Sequence, residues 1–235
     1  MPLKDDLEKE VATIFKAAWD TRDGTVVPSD DSLKLGNDAV QLDATVLYAD
    51  LADSTNLVDS HIGSFAAEIY KSFLHCAAKI IRSEGGAITA YDGDRIMAVY
   101  TGNTKNTSAV RTALKINHAA TYIINPAMQS QYSNETYRLQ HVTGIDTSNL
   151  FIARTGVRGA NDVVWVGRAA NYAAKLATLP ETYRTYITAE VHDKLNNQVK
   201  IWTDGRQMWE AVRWNNFDNR IIYRSNWWWN VDYVR

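Results

Sequence analysis

Two aspartates stand where a carboxylate can do chemistry. Asp50 ends the apolar run that begins at Ala44, and Asp94 sits in the Asp92-Gly93-Asp94 turn between two further apolar runs. If that hairpin pairs beside the first run, both carboxyl groups meet at one sheet edge. Adjacent hard oxygen donors repel unless a divalent cation lies between them, and Mg²⁺ is commonly held by one or two carboxylates together with substrate phosphates. Two such ions suit phosphoryl transfer, one at the attacking oxygen and one at the leaving phosphates. Asp53, Ser54 and Thr55 follow at once and open a helical pattern, with Asp53 or its neighbours as N-cap. The free N–H groups and dipole of such a helix start favour a triphosphate. Either aspartate alone reads as a solvated turn or cap residue. The pair beside a helix start is less easily accidental.

The elements that must position these groups are legible as a pattern. Ala44 to Asp50 reads as a strand buried on both faces. A helical pattern runs from there to Ser83 and stops at Gly85-Gly86. Strands over 87–91 and 96–100 flank the Asp-Gly turn, a strong hairpin signal. A helix is predicted over 106–128, a second hairpin from 138–146 and 150–154, a helix over 168–179, a strand over 183–188 and a short helix over 190–195. This order implies an α+β domain, a mainly antiparallel sheet covered by helices. Before it, residues 1–42 read as an N-terminal arm: a helical stripe of Leu7, Val11, Ile14, Phe15 and Ala18, then a Ser/Gly/Pro/Asp-rich connector. The arm is expected to pack on the main body, residues 43–235, or on a partner chain.

Composition excludes several classes. With 25 basic and 27 acidic residues the chain has no electrostatic footprint for nonspecific nucleic-acid binding. The lone Cys76 excludes an intramolecular disulfide framework. No stretch approaches the roughly 20 apolar residues that span a bilayer, and the charged first ten residues lack a secretion-signal core. A cytoplasmic protein is expected. His61, His75, His118, His141 and His192 show no zinc-ligand spacing and read as structural or exposed. Six of the eight tryptophans lie between 202 and 229. They read as packing for a C-terminal strand pair rather than a base-stacking platform.

The motifs together resemble the class III nucleotidyl cyclases. Val46 to Thr55 looks like that family's first strand and phosphate loop. Gly85-Gly86 followed by Gly93-Asp94 and the run to Tyr100 resembles its central hairpin, and Val142 to Thr147 its next strand. Gly167 to Leu176 is similar to its transition-state helix. The resemblance runs in order over about residues 43–190. It implies a ferredoxin-like sheet and a head-to-tail homodimer with composite sites. It also implies two Mg²⁺ or Mn²⁺ ions per site at Asp50, the Leu51 carbonyl and Asp94. Asn171 matches the residue that positions the ribose. Lys175, one helical turn on, stands where the family usually has an arginine for the pentavalent phosphorus, keeping the charge but not the planar fork. Arg158 falls near a family arginine that contacts the triphosphate. Adenylate cyclases read their base with a lysine and an aspartate or threonine, guanylate cyclases with a glutamate and a cysteine. The matching positions here are Ala90 and Val164, and Tyr48 lies two residues before Asp50 on the same strand face. A ring there narrows the base pocket toward a pyrimidine.

The overall pattern most closely resembles the bacterial pyrimidine cyclases of the Pycsar antiphage systems. That implies conversion of UTP to 3′,5′-cyclic UMP and pyrophosphate, with the product read by a separate effector. Cyclic CMP synthesis, adenylate cyclase activity and an inactive nucleotide-binding module are the alternatives. A palm-type polymerase is disfavoured because Asp94 is followed by Arg95 rather than a second acid.

Overall fold

The computed structural model describes residues 2–233. In chain order the elements are α1 (Leu3–Lys16), β1 (Asp20–Asp23), β2 (Asp38–Leu51), α2 (Ser54–Ser60), α3 (Gly63–Ser83), β3 (Ala87–Asp92), β4 (Arg95–Tyr100), α4 (Lys105–Ala119), α5 (Asn125–Gln131), β5 (His141–Val157), β6 (Ala160–Val166), α6 (Arg168–Leu176), β7 (Thr185–Thr188), α7 (Ala189–Asp193), β8 (Glu210–Trp214) and β9 (Arg220–Ser225). A π-helical turn over Ala120–Ile124 links α4 to α5.

Strand β2 is the axis of the sheet. Its side chains alternate between two cores, as a strand covered on both faces requires. Leu47, Ala49 and Leu51 pack with α3 and α4 residues such as Phe65, Phe73, Ile81 and Leu114. Val40, Leu42, Ala44 and Val46 face the other way, against Met97, Ile152 and the alanines of α6. The strand order is β3-β4-β2-β5-β7-β9-β8, with β1 beside β2 and β6 beside β5. All pairings are antiparallel except β1 with β2 and β5 with β7. The expected mainly antiparallel sheet covered by helices is the fold observed.

Local boundaries differ from the sequence reading. Strand β2 begins at Asp38, so the boundary drawn after residue 42 falls inside it. The helical pattern reaching Ser83 is two helices, because His61 and Ile62 are extended and α3 starts afresh at Gly63. The helix over 106–128 is interrupted by the π-helical turn. No hairpin turns at residues 147–149. Strand β5 runs straight through them, because β2 offers it an unbroken partner from Ala39 to Leu51. The true hairpin turn is at Arg158-Gly159, joining β5 to β6.

Trp209, Trp214 and Trp229 are buried. The Trp229 N–H donates to the Leu114 carbonyl of α4 at 3.1 Å, so most of the tryptophan-rich tail is packing. His141 is fully buried and its imidazole is pushed down to about 3, chiefly by burial. Helix α1 buries none of its residues. Among the described residues its side-chain ties to the rest of the chain are near its end, where Asn37 Nδ2 donates to the Ile14 and Ala17 carbonyls at 2.9 and 2.7 Å. Its apolar stripe is not covered by the described residues of the same chain.

Gly144 fixes how closely α6 approaches the sheet. A Cβ there would lie 2.2 Å from the Ala173 carbonyl oxygen and 2.5 Å from the Ala177 nitrogen, both backbone atoms. Gly144→Ala is therefore expected to lift α6 from β5, at about 1–3 kcal/mol for an overpacked contact. A lowered melting temperature together with reduced turnover would show it; an unchanged pair of values would refute the close-approach account.

Candidate active site

The ladder between β2 and β4 pairs Ala49 with Ile96 as its outermost rung. Asp50 and Arg95 come next along each strand, and Asp94 follows in the turn, where Gly93 supplies φ +61°. Arg95 Nη2 and Nε donate to Asp50 Oδ2 at 2.9 and 3.0 Å. The Arg95 guanidinium carbon lies 6.0 Å from the Tyr48 ring centroid. Burial pushes the Asp50 carboxyl upward; Arg95 opposes that shift, and the charges of Asp94 and Asp92 add to it.

Asp94 Oδ2 is buried and has no hydrogen-bond partner. Leaving such an oxygen unsatisfied is unfavourable, and beside a second carboxylate it fits a hard divalent cation. Among the described residues no group of three or more His, Cys, Asp or Glu is disposed to hold a metal ion. A cation at Asp50 and Asp94 would thus draw its other ligands from backbone carbonyls such as that of Leu51, from substrate and from water.

Asp53 occupies the turn between β2 and α2 in a left-handed conformation, φ +57°, and makes no side-chain cap. Asp53 thus holds the expected N-cap position without the expected side-chain bond: its Oδ2 accepts instead from Asn56 Nδ2 at 3.1 Å. The first turn of α2, with Ser54 and Thr55, is left without a side-chain cap. Tyr137 enters the neighbourhood without any sequence signal. Its hydroxyl is buried and unpartnered, and it is pushed up to about 12, first by burial and then by the charges of Asp53, Tyr70 and Asp94.

Asn171 and Lys175 lie one turn apart on α6, both exposed. The helix is fastened by ionic contacts. Arg168 donates to the fully buried Asp146 at 3.1 Å and to the Thr147 carbonyl at 2.7 Å, and it pairs with Glu190. Arg220 bridges Glu190 and the Tyr172 hydroxyl at 3.1 and 2.9 Å. No hydrogen bond or ion pair joins Asn171 or Lys175 to Asp50 or Asp94 among the described residues. The Lys175 ammonium rests instead 4.2 Å over the Phe217 ring in the β8–β9 turn.

The base-pocket candidates divide. Tyr48 and Ala90 pack on the same core, joined by Val163 and Trp165. Val164 does not share that face. With Arg158 and residues of α1 it lines a separate cavity of about 650 Å³. Strand alternation accounts for the division, since Val163 and Trp165 point one way and Val164 the other.

No family model matches the chain. Solved structures with the same fold include the adenylyl cyclase CyaB from P. aeruginosa, at TM-score 0.64 and 17% identity over 80% of this chain and 95% of that one. The guanylyl cyclase Cya2 aligns at TM-score 0.65 and 15% identity over 79% of this chain and 91% of that one. Sequence relatives are much nearer. A uridylate cyclase of Xanthomonas perforans is 54% identical, covering 99% of this chain and all of the relative. Those of Burkholderia cepacia and of Rhodovulum sp. are 51% and 39% identical, over 98% and 97% of this chain and 100% and 98% of the relatives. With a class III cyclase fold and end-to-end identity of this order, the chain is a nucleotidyl cyclase and belongs to the uridylate cyclase family.

Proposed function

We propose that the chain closes UTP into 3′,5′-cyclic UMP and pyrophosphate, as a head-to-tail homodimer whose two sites are each built from both chains. The observation that carries this reading is a buried, unpartnered Asp94 oxygen whose charge bears on the Asp50 carboxyl, pushing it upward, at one strand end. Asp50, the Leu51 carbonyl and Asp94 hold the cations. Two Mg²⁺ or Mn²⁺ ions bound there supply charge neutralisation at the phosphates and lower the pKa of the attacking 3′-hydroxyl.

The protein's own groups do the rest. The uncapped first turn of α2, with Asp53, Ser54 and Thr55, presents backbone N–H groups to the phosphate chain. Arg158, from the other chain, adds a cation. Asn171 orients the ribose, and Lys175 meets the charge that develops on the α-phosphorus, where fixed electrostatics contribute most. The Tyr48 ring narrows the base pocket, and Ala90 beside it offers no polar group to a purine. Trp165 shares their face and is a better candidate than Val164 for the partner's wall of that pocket. The composite arrangement is supported by the lack, among the described residues, of any hydrogen bond or ion pair from Asn171 or Lys175 to Asp50 or Asp94, with the Lys175 ammonium resting on Phe217. The names of the near relatives support the base, and the resemblance to antiphage cyclases supports a role as an alarm signal read by a separate effector.

The test is incubation of purified protein with each of the four ribonucleoside triphosphates and Mg²⁺ or Mn²⁺, with products resolved by mass. Cyclic UMP is expected as the dominant product. Cyclic AMP in its place would overturn the base assignment, and no cyclic product from any triphosphate would overturn the activity.

A further inference from the structure

Lysine is a flexible point charge on a four-carbon stem, and holding it in one place carries an entropic cost that an arginine fork offsets with paired hydrogen bonds. A carboxylate partner would hold it, but would also cancel the charge that an anionic transition state needs. Lys175 has no carboxylate partner among the described residues. Its ammonium rests 4.2 Å from the centroid of Phe217. An aromatic face attracts a cation through its quadrupole without neutralising it, and it leaves the other side of the ammonium free for phosphate oxygens.

The ring itself is fixed from several directions. Phe217 stacks on Trp214 at 4.5 Å and 18°, and meets Tyr172 edge-on at 4.8 Å and 81°. The turn that carries it is closed by Asp218 and Asn219, both left-handed at φ +51° and +52°, a conformation these residue types tolerate. The Phe217 N–H donates to the Trp214 carbonyl at 2.9 Å, and the Arg220 N–H donates to the Phe217 carbonyl at 3.1 Å. Arg220 in turn holds Tyr172 on α6. The turn and the helix are thus fastened to each other around the lysine.

We propose that Phe217 is the positioning residue for Lys175, its ring holding the ammonium in place with its charge uncompensated, so that the β8–β9 hairpin is part of the catalytic apparatus. The inference rests on the reading of Lys175 as the group that meets the α-phosphorus. The test uses the full-length protein and the triphosphate that the wild type turns over fastest. Phe217→Leu is expected to lower kcat about fivefold with KM within about twofold, the upper end for an exposed cation–π contact; Phe217→Tyr, which keeps a ring, should stay within about twofold of wild type. Phenylalanine analogues with one, two and three ring fluorines at position 217, nearly unchanged in shape, should lower kcat stepwise as the ring face loses its negative character. A flat fluorine series, or full kcat in Phe217→Leu, overturns the proposal whether or not the leucine variant is less stable. Full activity in Lys175→Ala would instead remove the role of Lys175 itself, and the two failures are told apart by that variant alone.

Discussion

Replacing Asp94 with asparagine is expected to reduce cyclase turnover on the order of 10³-fold while leaving the fold intact, a loss of the size that follows when a metal-assisted phosphoryl transfer loses its cation. The substitution is nearly isosteric, so the Asp92–Arg95 turn keeps its shape. What changes is charge. Asp94 Oδ2 is buried and receives no hydrogen bond from the protein, so nothing but a ligand is removed with it. The carboxylate also bears on Asp50, adding to the upward push that burial gives that group. Relieving that repulsion offsets the small cost of a buried amide, and the melting temperature should stay within a few degrees of wild type. Turnover measured by product mass, with thermal melting on the same sample, checks both halves. Wild-type turnover in Asp94→Asn would remove the carboxylate pair from the mechanism.

The second large effect is a gain. Asp50→Ala and Lys175→Ala chains, each close to inactive alone, are expected to recover activity on mixing. A symmetric dimer with two composite sites gives, after 1:1 exchange, half heterodimers, each with one intact site in two. The mixture should therefore approach about one quarter of wild-type activity. The expectation rests on the composite site: no hydrogen bond or ion pair joins Lys175 to Asp50 or Asp94 among the described residues, and its ammonium rests on Phe217 in the β8–β9 turn. A mixture that stays at the sum of its parents after subunit exchange would argue that each chain completes its own site.

Much of this arrangement could be read from the residues because it is locally encoded. The apolar run to Asp50, the Asp-Gly turn and the helix from Arg168 each carry their signal within a few positions, and each lies where expected. Thr147, Ser148 and Asn149 have the composition of a turn and predict a break in strand β5; an uninterrupted ladder with β2 outweighs that preference. The break between α2 and α3 is hidden because apolar periodicity continues across His61 and Ile62. Arg95 as the partner of Asp50, the buried Tyr137 hydroxyl and the Phe217–Lys175 contact had no local signal at all. They are products of sheet pairing and chain crossing, which bring together residues far apart along the chain. The placement of Val164 away from Tyr48 has a similar cause: position along the chain does not fix which face of β6 a side chain takes.

The solitary position of the carboxylate pair has one more consequence. Among the described residues no hydrogen bond or ion pair brings Asn171 or Lys175 to Asp50 or Asp94, and Lys175 rests on Phe217. If these groups meet only across two copies, a solitary polypeptide is idle however much nucleotide surrounds it. Output then scales with encounters between molecules, rising as the square of abundance when copies are scarce, and dilution alone is enough to keep the enzyme silent.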